Sequence, residues 1–398
     1  MLRFASARSD AVNSQTAMRE CLDQARERLD GAEIDLLVFH TTIGHDFARL
    51  IDGAREAAPG ADIAGCTCAG VVGSDGASER MRALAVMAVS GRDYAVAHAD
   101  VIRGANSFEV ASKVAAALKA QQPNISMVNI LASGIDIAGD QAIAGIESVF
   151  GPETIVFGGT SGDNMRARVC YQFAGSRILE RGIVLVGYAD PSLSMLTAVH
   201  HGSKPIGKPF TVTRSENNHV LEFDGEAAWP ALMRRLNLPV ETDVSQTLPV
   251  AGLGQRIPDD LRKAYCNDYF IHTIFKVSED LQSFFLPAAC PEGTELRLMQ
   301  RDEDYIFAGV ESMIAGLVGQ LGERQPVAVF HTDCAARGKF MFNRVLKDEI
   351  IARMQYPVCQ GRVVPWLGSY GFGEFSPVAG TNRFHTQTSS LYVLTREQ

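Results

Sequence analysis

The sequence predicts an α/β protein of two domains with mixed sheets flanked by helices, and two observations predict it. The first is a pattern that occurs three times. An apolar run short enough for a buried strand is followed by a helical segment, by a second apolar step ending in glycine and small or hydroxyl residues, and by a further apolar strand. The second is an alternating stretch, PFTVTRSENNHVLEFDG from Pro209, whose bend at Glu216, Asn217 and Asn218 marks an antiparallel hairpin. Three divergent strand-helix-strand modules plus this hairpin account for most of the chain.

In order, residues 14–29 (SQTAMRECLDQARERL) carry apolar positions at helical spacing behind Asn13 or Ser14 as caps, which predicts a surface helix. The first module runs over about residues 33–100. Its first strand is Asp35 to Thr42, its second limb Ile63 to Gly70 (IAGCTCAG), and its closing strand Ala83 to Val89. The second module, about 107–200, opens with the helix FEVASKVAAALKA. Its limbs are Ser126 to Gly134 and Ile155 to Gly162 (IVFGGTSG), closed by Gly182 to Tyr188. Residues 201–214, with two prolines and two glycines, read as a junction and hinge between domains 1–205 and 206–398. Beyond the hairpin, Trp229 to Leu236 predicts a short helix, 237–265 is irregular, and Tyr269 to Val277 and Thr294 to Met299 alternate as strands. The helix Tyr305 to Leu321 leads into the third module.

That module is the focus of the chain. Val327 to Phe330 ends in His331, Thr332, Asp333 and Cys334, and a helix is expected from about Gly338 because Phe340, Phe342, Val345, Leu346 and Ile350 recur at helical spacing. The second limb, Trp366 to Glu374, closes in glycine-spaced turns before Leu391 to Leu394. Strand ends facing helix starts are where open α/β sheets bind ligands.

Composition narrows the function. A net charge of −9 over 398 residues, without a basic run, argues against nucleic acid and against acidic membrane surfaces. MLRFASARSD lacks an apolar core for a secretory signal, and no apolar stretch approaches the roughly 18 residues of a membrane helix. Eight dispersed cysteines suit reduced thiols, so a cytoplasmic location is expected. CxxC and HExxH are absent, and Cys66 and Cys68 form only a CxC pair. GSKPIGK (202–208) has phosphate-loop spacing, but Pro209 stands where Ser or Thr must hold magnesium.

Cys334 is the most informative thiol. A helix start and Arg337 beside it would lower its pKa, and it suits a nucleophile, a soft metal or haem ligand, or a half-buried structural residue. His331 suits an axial haem ligand, a general base or a satisfied hydrogen-bonding core residue, and His385 shares that ambiguity. Arg337 suits a carboxylate or phosphate, with Glu374 as its partner across the glycine turn; a plain salt bridge is the structural alternative. Ser369 and Tyr370, with Cys66, Thr67 and Ser161 from the other turns, add thiol and hydroxyl groups that turns also select for backbone reasons. The expected ligand-binding set is therefore Cys66, Thr67, Ser161, His331, Cys334, Arg337, Ser369, Tyr370 and Glu374, with His331, His385 or Cys334 on a haem.

GCTCAG (65–70), GGTSGDN (158–164), the PFTVTRSENNHVLEFDGEAA hairpin, CAARG (334–338), and LGSYGFGEFSP followed by HTQTSSLYVL together resemble the FIST family. The resemblance spans about residue 30 to the end and implies a FIST N plus FIST C pair. It implies a sensory protein without enzymatic activity, binding small ligands such as amino acids and signalling through a partner such as a histidine kinase. Some stand-alone members are similar to haem-binding nitric-oxide sensors. Outside this class stands a Cys-dependent enzyme with Cys334 activated by His331.

Overall fold

The computed structural model describes residues 1–247, 252–265, 267–274, 276–339 and 341–396. It is a mixed α/β structure. The first module comprises β1 (Arg3–Ser9), α1 (Ser14–Arg28), β2 (Leu36–Thr42), α2 (Phe47–Ala57), β3 (Asp62–Cys68), β4 (Gly70–Gly73), β5 (Gly76–Ser78) and β6 (Leu84–Ser90). The second comprises β7 (Tyr94–Ala99), α3 (Ser107–Gln121), β8 (Met127–Ala132), α4 (Gly139–Phe150), β9 (Ile155–Thr160), β10 (Tyr171–Ala174), β11 (Arg177–Glu180) and β12 (Ile183–Tyr188). The third starts with β13 (Leu193–His201) and is then interrupted. The insertion holds β14 (Ser203–Glu216), β15 (His219–Phe223), β16 (Glu226–Ala227), α5 (Ala228–Leu236), α6 (Val244–Thr247), β17 (Gly252–Arg256), α7 (Asp259–Tyr265), β18 (Tyr269–His272), β19 (Lys276–Val277), β20 (Phe284–Phe285) and β21 (Glu295–Arg301). The module resumes with α8 (Glu303–Leu321), β22 (Pro326–Cys334), α9 (Arg344–Cys359), β23 (Trp366–Gly371), β24 (Glu374–Val378), β25 (Thr381–His385) and β26 (Thr388–Arg396).

β2 and β8 are buried along their whole length, because a parallel strand covered on both faces must be apolar almost continuously. β2 pairs in parallel with β3, β8 with β9, and β22 with β23. In each module the closing strand lies antiparallel on the other side of the first strand and carries the module's outermost strand. Each sheet is then completed by a hairpin from a different module. The orders are β1-β6-β2-β3-β10-β11, β7-β12-β8-β9-β24-β25 and β13-β26-β22-β23-β4-β5. The three modules therefore exchange hairpins in a ring.

Backbone hydrogen bonds close that ring. Gly162 N–H donates to the Thr67 carbonyl (3.0 Å), Phe372 N–H to Thr160 (3.4 Å), and Ala69 N–H to Tyr370 (2.9 Å). Thr67, Thr160 and Tyr370 thus occupy corresponding positions, and so do Ala69, Gly162 and Phe372. The sheets share a central core in which Phe157 lies 5.3 Å from Tyr392 and 5.4 Å from Phe330, ring centre to centre. Helix pairs α1/α2, α3/α4 and α8/α9 cover the outer faces over separate apolar clusters.

Two expectations are corrected here. Within 201–214, read as a junction and hinge, residues 203–209 are not a loop but the first part of the strand β14, which pairs with β21 on one side and, through the expected hairpin, with β15 on the other. A bulge between Ile206 and Phe210 absorbs the glycine and proline that suggested a loop. The helix expected from about Gly338 starts at Arg344, where Asn343 Oδ1 accepts from Leu346 N–H (3.0 Å); Phe340 lies outside the described residues. Before it runs only a short 3₁₀ turn, Ala335–Arg337.

Candidate functional site

β22 delivers His331, Thr332, Asp333 and Cys334 in register with Gly368, Ser369, Tyr370 and Gly371 of β23. Asp333 is the centre of the site, fully buried. Arg337 folds back over the 3₁₀ turn so that Nε donates to Asp333 Oδ1 at 2.8 Å, and both side chains are at most 3% exposed. His331 Nε2 lies 3.6 Å from Asp333 Oδ2 and 3.1 Å from Ser389 Oγ. Burial alone would raise the Asp333 carboxyl, but the Arg337 charge and its hydrogen bond, with His331 close by, prevail and hold it below its ordinary value. Nη1 and Nη2 of Arg337 are buried and meet no hydrogen-bond acceptor among the described residues.

Glu374, at the head of β24, is the second buried acid. Its Oε2 accepts from Thr388 Oγ1 (2.7 Å) and Thr388 N–H (3.2 Å), while Oε1 has no donor among the described residues. Burial pushes this carboxyl well above the ordinary range, and the Thr388 bonds only partly oppose it. Arg337 lies within electrostatic reach of Glu374, yet no ion pair joins them. Two guanidinium nitrogens and one carboxyl oxygen are thus left unsatisfied in one buried region, each such group costing about 1–3 kcal/mol if it stays so.

The turn that carries Arg337 is fixed from the first module. Glu79 accepts from Lys339 N–H through both oxygens (3.0 and 2.9 Å) and pairs with Lys347 Nζ at 3.0 Å, side chains 4% and 9% exposed. A Cβ on Gly338 would stand 2.4 Å from Glu79 Oε1, so a side chain there would displace that carboxylate.

Cys334 lines a chamber of about 30 Å³ with Ala335, Ala336, Phe372, Gln387 and Thr273. Met165 and Ala167 separate it from a wider vestibule of about 520 Å³ that also meets Arg166, Arg168 and Asp243. Both separating residues adopt left-handed backbone, φ 65° and 50°. They are held so by Asp163, whose carboxylate accepts from the backbone N–H groups of Arg166, Ala167, Arg168 and Val169 at 2.7–3.3 Å. The Asp163 in GGTSGDN was legible as a motif residue, but its role as a loop clamp was not. Glu79 carried no sequence signal at all.

The other expected residues separate from this group. Cys66 lies 3.2 Å from His40 Nδ1 and, with Ser369, lines an axial cavity of about 10 Å³, room for one water. Thr67 Oγ1 accepts from Tyr171 N–H (2.9 Å), and Ser161 donates to the Ala132 carbonyl (3.0 Å) while accepting from Gln172. Both hydroxyls brace the strand ends. Tyr370 is buried, its phenol pushed well up by burial.

Cys334 differs from expectation. Its strand runs into a short turn rather than a long helix, and burial followed by the Glu374 charge pushes its thiol up to about 12. Iodoacetamide at pH 7.5 is therefore expected to leave Cys334 unmodified in the native protein and to label it in urea. Peptide mass spectrometry reads the result; rapid native labelling would contradict this account.

A haem does not fit these residues. Cys334 borders a chamber of about 30 Å³, and His385 is held by the Ser376 carbonyl (Nε2, 3.0 Å) and stacks on Tyr265. His331 packs edge-on against Trp366 with Nε2 on Ser389, and ligand pockets of cofactor size run to about 300–1,000 Å³.

Burial also sets a pH response. It pushes His40, His45, His272 and His385 down to about 4, His201 to about 3 and His200 to about 2, so all are neutral in the fold. The unfolded chain binds those protons below about pH 6.5, so their contribution is complete above that value and is lost as pH falls toward 4. Glu374 has the opposite sign, losing stability as pH rises above the ordinary carboxylate range, but it is one group against six. The melting temperature is expected to fall steeply between pH 6.5 and 4 in scanning calorimetry; a flat profile would contradict the buried neutral histidines.

Three hairpin-exchanging modules define a mixed α/β protein, with a buried and partly unsatisfied ion pair at one strand end. The chain belongs to the FIST family: the FIST N domain model matches residues 35–226 and the FIST C domain model residues 230–377. FIST domains are associated with small-ligand-binding sensory signalling. Uncharacterized protein Rv0628c of Mycobacterium tuberculosis is 24% identical over 401 residues, covering 98% of this chain and 99% of the relative. Uncharacterized protein Mb0898c of Mycobacterium bovis is 25% identical over 244 residues, 60% of each chain. Among solved structures, a cyanuric acid hydrolase from A. caulinodans aligns over 100% of both chains at 8% identity and TM-score 0.39. A chorismatase aligns over 99% of both at 9% identity and TM-score 0.34. These scores are too low to carry an argument about function. No helix among the described residues is long and apolar enough to cross a membrane.

Proposed function

We propose that this protein is a small-ligand sensor whose ligand is an amino-acid zwitterion bound at the strand end of the third module. One observation carries the reading: Arg337 is buried, anchored through Nε on Asp333, and keeps Nη1 and Nη2 without acceptors. A guanidinium presenting two parallel N–H groups matches a carboxylate. Glu374 Oε1 supplies the complementary acceptor for an ammonium group, whose approach favours the ionised carboxylate against its burial.

The chamber of about 30 Å³ holds two or three waters, not an amino acid. Neither Arg337 nor Glu374 lines it, so on this reading entry needs the 163–169 loop to move, joining the chamber to the vestibule and opening it toward those two side chains. A ligand that binds the opened arrangement better than the closed one shifts the population between them, which is what a sensor requires. The family's association with sensory signalling supports an output of some kind, and a histidine kinase is the partner this reading proposes.

A thermal-shift panel of the twenty L-amino acids tests the reading. One or a few should raise the melting temperature of the wild-type protein, since ligand at about 100 times its Kd adds about 2.7 kcal/mol. The same compounds should leave Arg337→Lys unmoved, because lysine does not reproduce the two-pronged geometry. A shift of equal size in the variant would count against the site.

A further inference from the structure

The ring of hydrogen bonds gives the modules a common numbering. Thr160 and Tyr370 correspond, and their parallel partners are Ala132 and Asp333. It follows that Ser133 corresponds to Cys334, and Asp136 to Arg337. The segment Ile135 to Ala138 is thus the second module's version of the turn that carries the site proposed above. In the first module the same place is filled: Arg82 Nε donates to the Gly44 carbonyl at 2.9 Å, and a Cβ on Gly44 would stand 2.1 Å from the Met81 carbonyl.

In the second module it is open. A groove of about 710 Å³ lies between this turn, the start of α3, and the insertion. That is within the range of sites for small organic ligands, about 300–1,000 Å³. Ile135 and Ile137 give it an apolar side, and Phe108, 45% exposed despite its size, and Phe285 add aromatic surface. Arg103 and Lys276 face it with no carboxylate ion pair among the described residues. Lys276 Nζ instead sits 5.1 Å from the centre of the Phe285 ring. Asp136 is the single acid in the lining, so the groove carries net positive charge. Exposed aromatic surface beside cations that have no carboxylate partner among the described residues is complementary to a flat apolar body bearing an anion.

We propose that this groove is a second binding site, for a small aromatic carboxylate. The ring lies against Phe108 and the apolar side formed by Ile135 and Ile137, and the carboxylate is held by Arg103 and by Lys276, which Phe285, stacked on His219 at 4.0 Å, supports from below. This inference is independent of the amino-acid reading, because none of its residues lines the Arg337 turn.

Isothermal titration of the full chain with naphthalene-2-carboxylate, and with the uncharged naphthalene-2-carboxamide, tests it. One-to-one binding of the carboxylate is expected, weakened at least about tenfold by Arg103→Ala, by Lys276→Ala and for the carboxamide, the loss of one charge-assisted contact. Phe108→Ala should weaken both compounds, and Arg337→Lys should leave binding intact. Arg103, Phe108 and Lys276 are exposed, so these variants keep the fold. No binding up to about millimolar carboxylate, or binding that survives the Arg103, Lys276 and Phe108 substitutions, would overturn the proposal. Loss in Arg337→Lys alone would place the compound in the third module and overturn it equally.

Discussion

Replacing Arg337 with methionine is expected to abolish amino-acid binding and to destabilise the protein by about 3–5 kcal/mol, read as a shift of the urea midpoint. The size follows from burial. Asp333 is held ionised chiefly by Arg337, and both ion-pair partners are almost wholly removed from solvent. Removing the guanidinium strands a carboxylate in a low-dielectric interior, which costs far more than the pair itself contributes. The account therefore predicts asymmetry. Asp333→Leu combined with Arg337→Met should recover most of the lost stability, because no charge is then left unpaired, yet should not recover binding. Recovery of binding in the double variant would remove Arg337 from the ligand site; failure to recover stability would show that the pair's cost lies elsewhere.

Glu79→Ala should have an effect of similar size and a different reach. Among the described residues its carboxylate is the one ion-pair partner of the nearly buried Lys347, and it also receives Lys339 N–H twice at the end of the CAARG turn. Loss of the acid leaves a nearly buried ammonium without its carboxylate, about 3–5 kcal/mol, and removes both Glu79 oxygens from the Lys339 N–H. Because Glu79 follows β5 in the first module while the turn belongs to the third, this variant should also weaken amino-acid binding without touching ligand. Hydrogen exchange around 335–339 should rise in Glu79→Ala. Unchanged protection there would mean that the turn holds its shape without the carboxylate.

The sequence showed most clearly what repeats locally. The three parallel strand pairs, their closing strands and the helices over 14–28, 107–121, 228–236 and 303–321 follow from apolar periodicity, which packing against one sheet face imposes directly. The hairpin exchange did not show. β4 and β5 are four and three residues long, and β23, on which β4 pairs, lies almost three hundred residues away, so no local pattern encodes the pairing. The start of α9 was legible in Asn343, an ordinary N-cap, but Phe342 extends the apolar spacing backward by packing on Phe307 rather than by being helical. At the site, Arg337 and Glu374 stand out in sequence because charged residues beside glycine turns are unusual. Asp333 and Glu79, which set their geometry, look like any surface acid until burial is known. Thr67 and Ser161 show the converse, since a turn hydroxyl that braces backbone is indistinguishable in sequence from one that meets a ligand.

The central claim is that a zwitterion is held between Arg337 and Glu374. Calorimetric titration of the wild-type protein with the best-binding amino acid, its decarboxylated amine and its deaminated acid tests it most directly. The account predicts that each analogue binds at least about a hundredfold more weakly than the amino acid, since each leaves one buried charged group unanswered. An amine or acid that binds as tightly as the parent would contradict it.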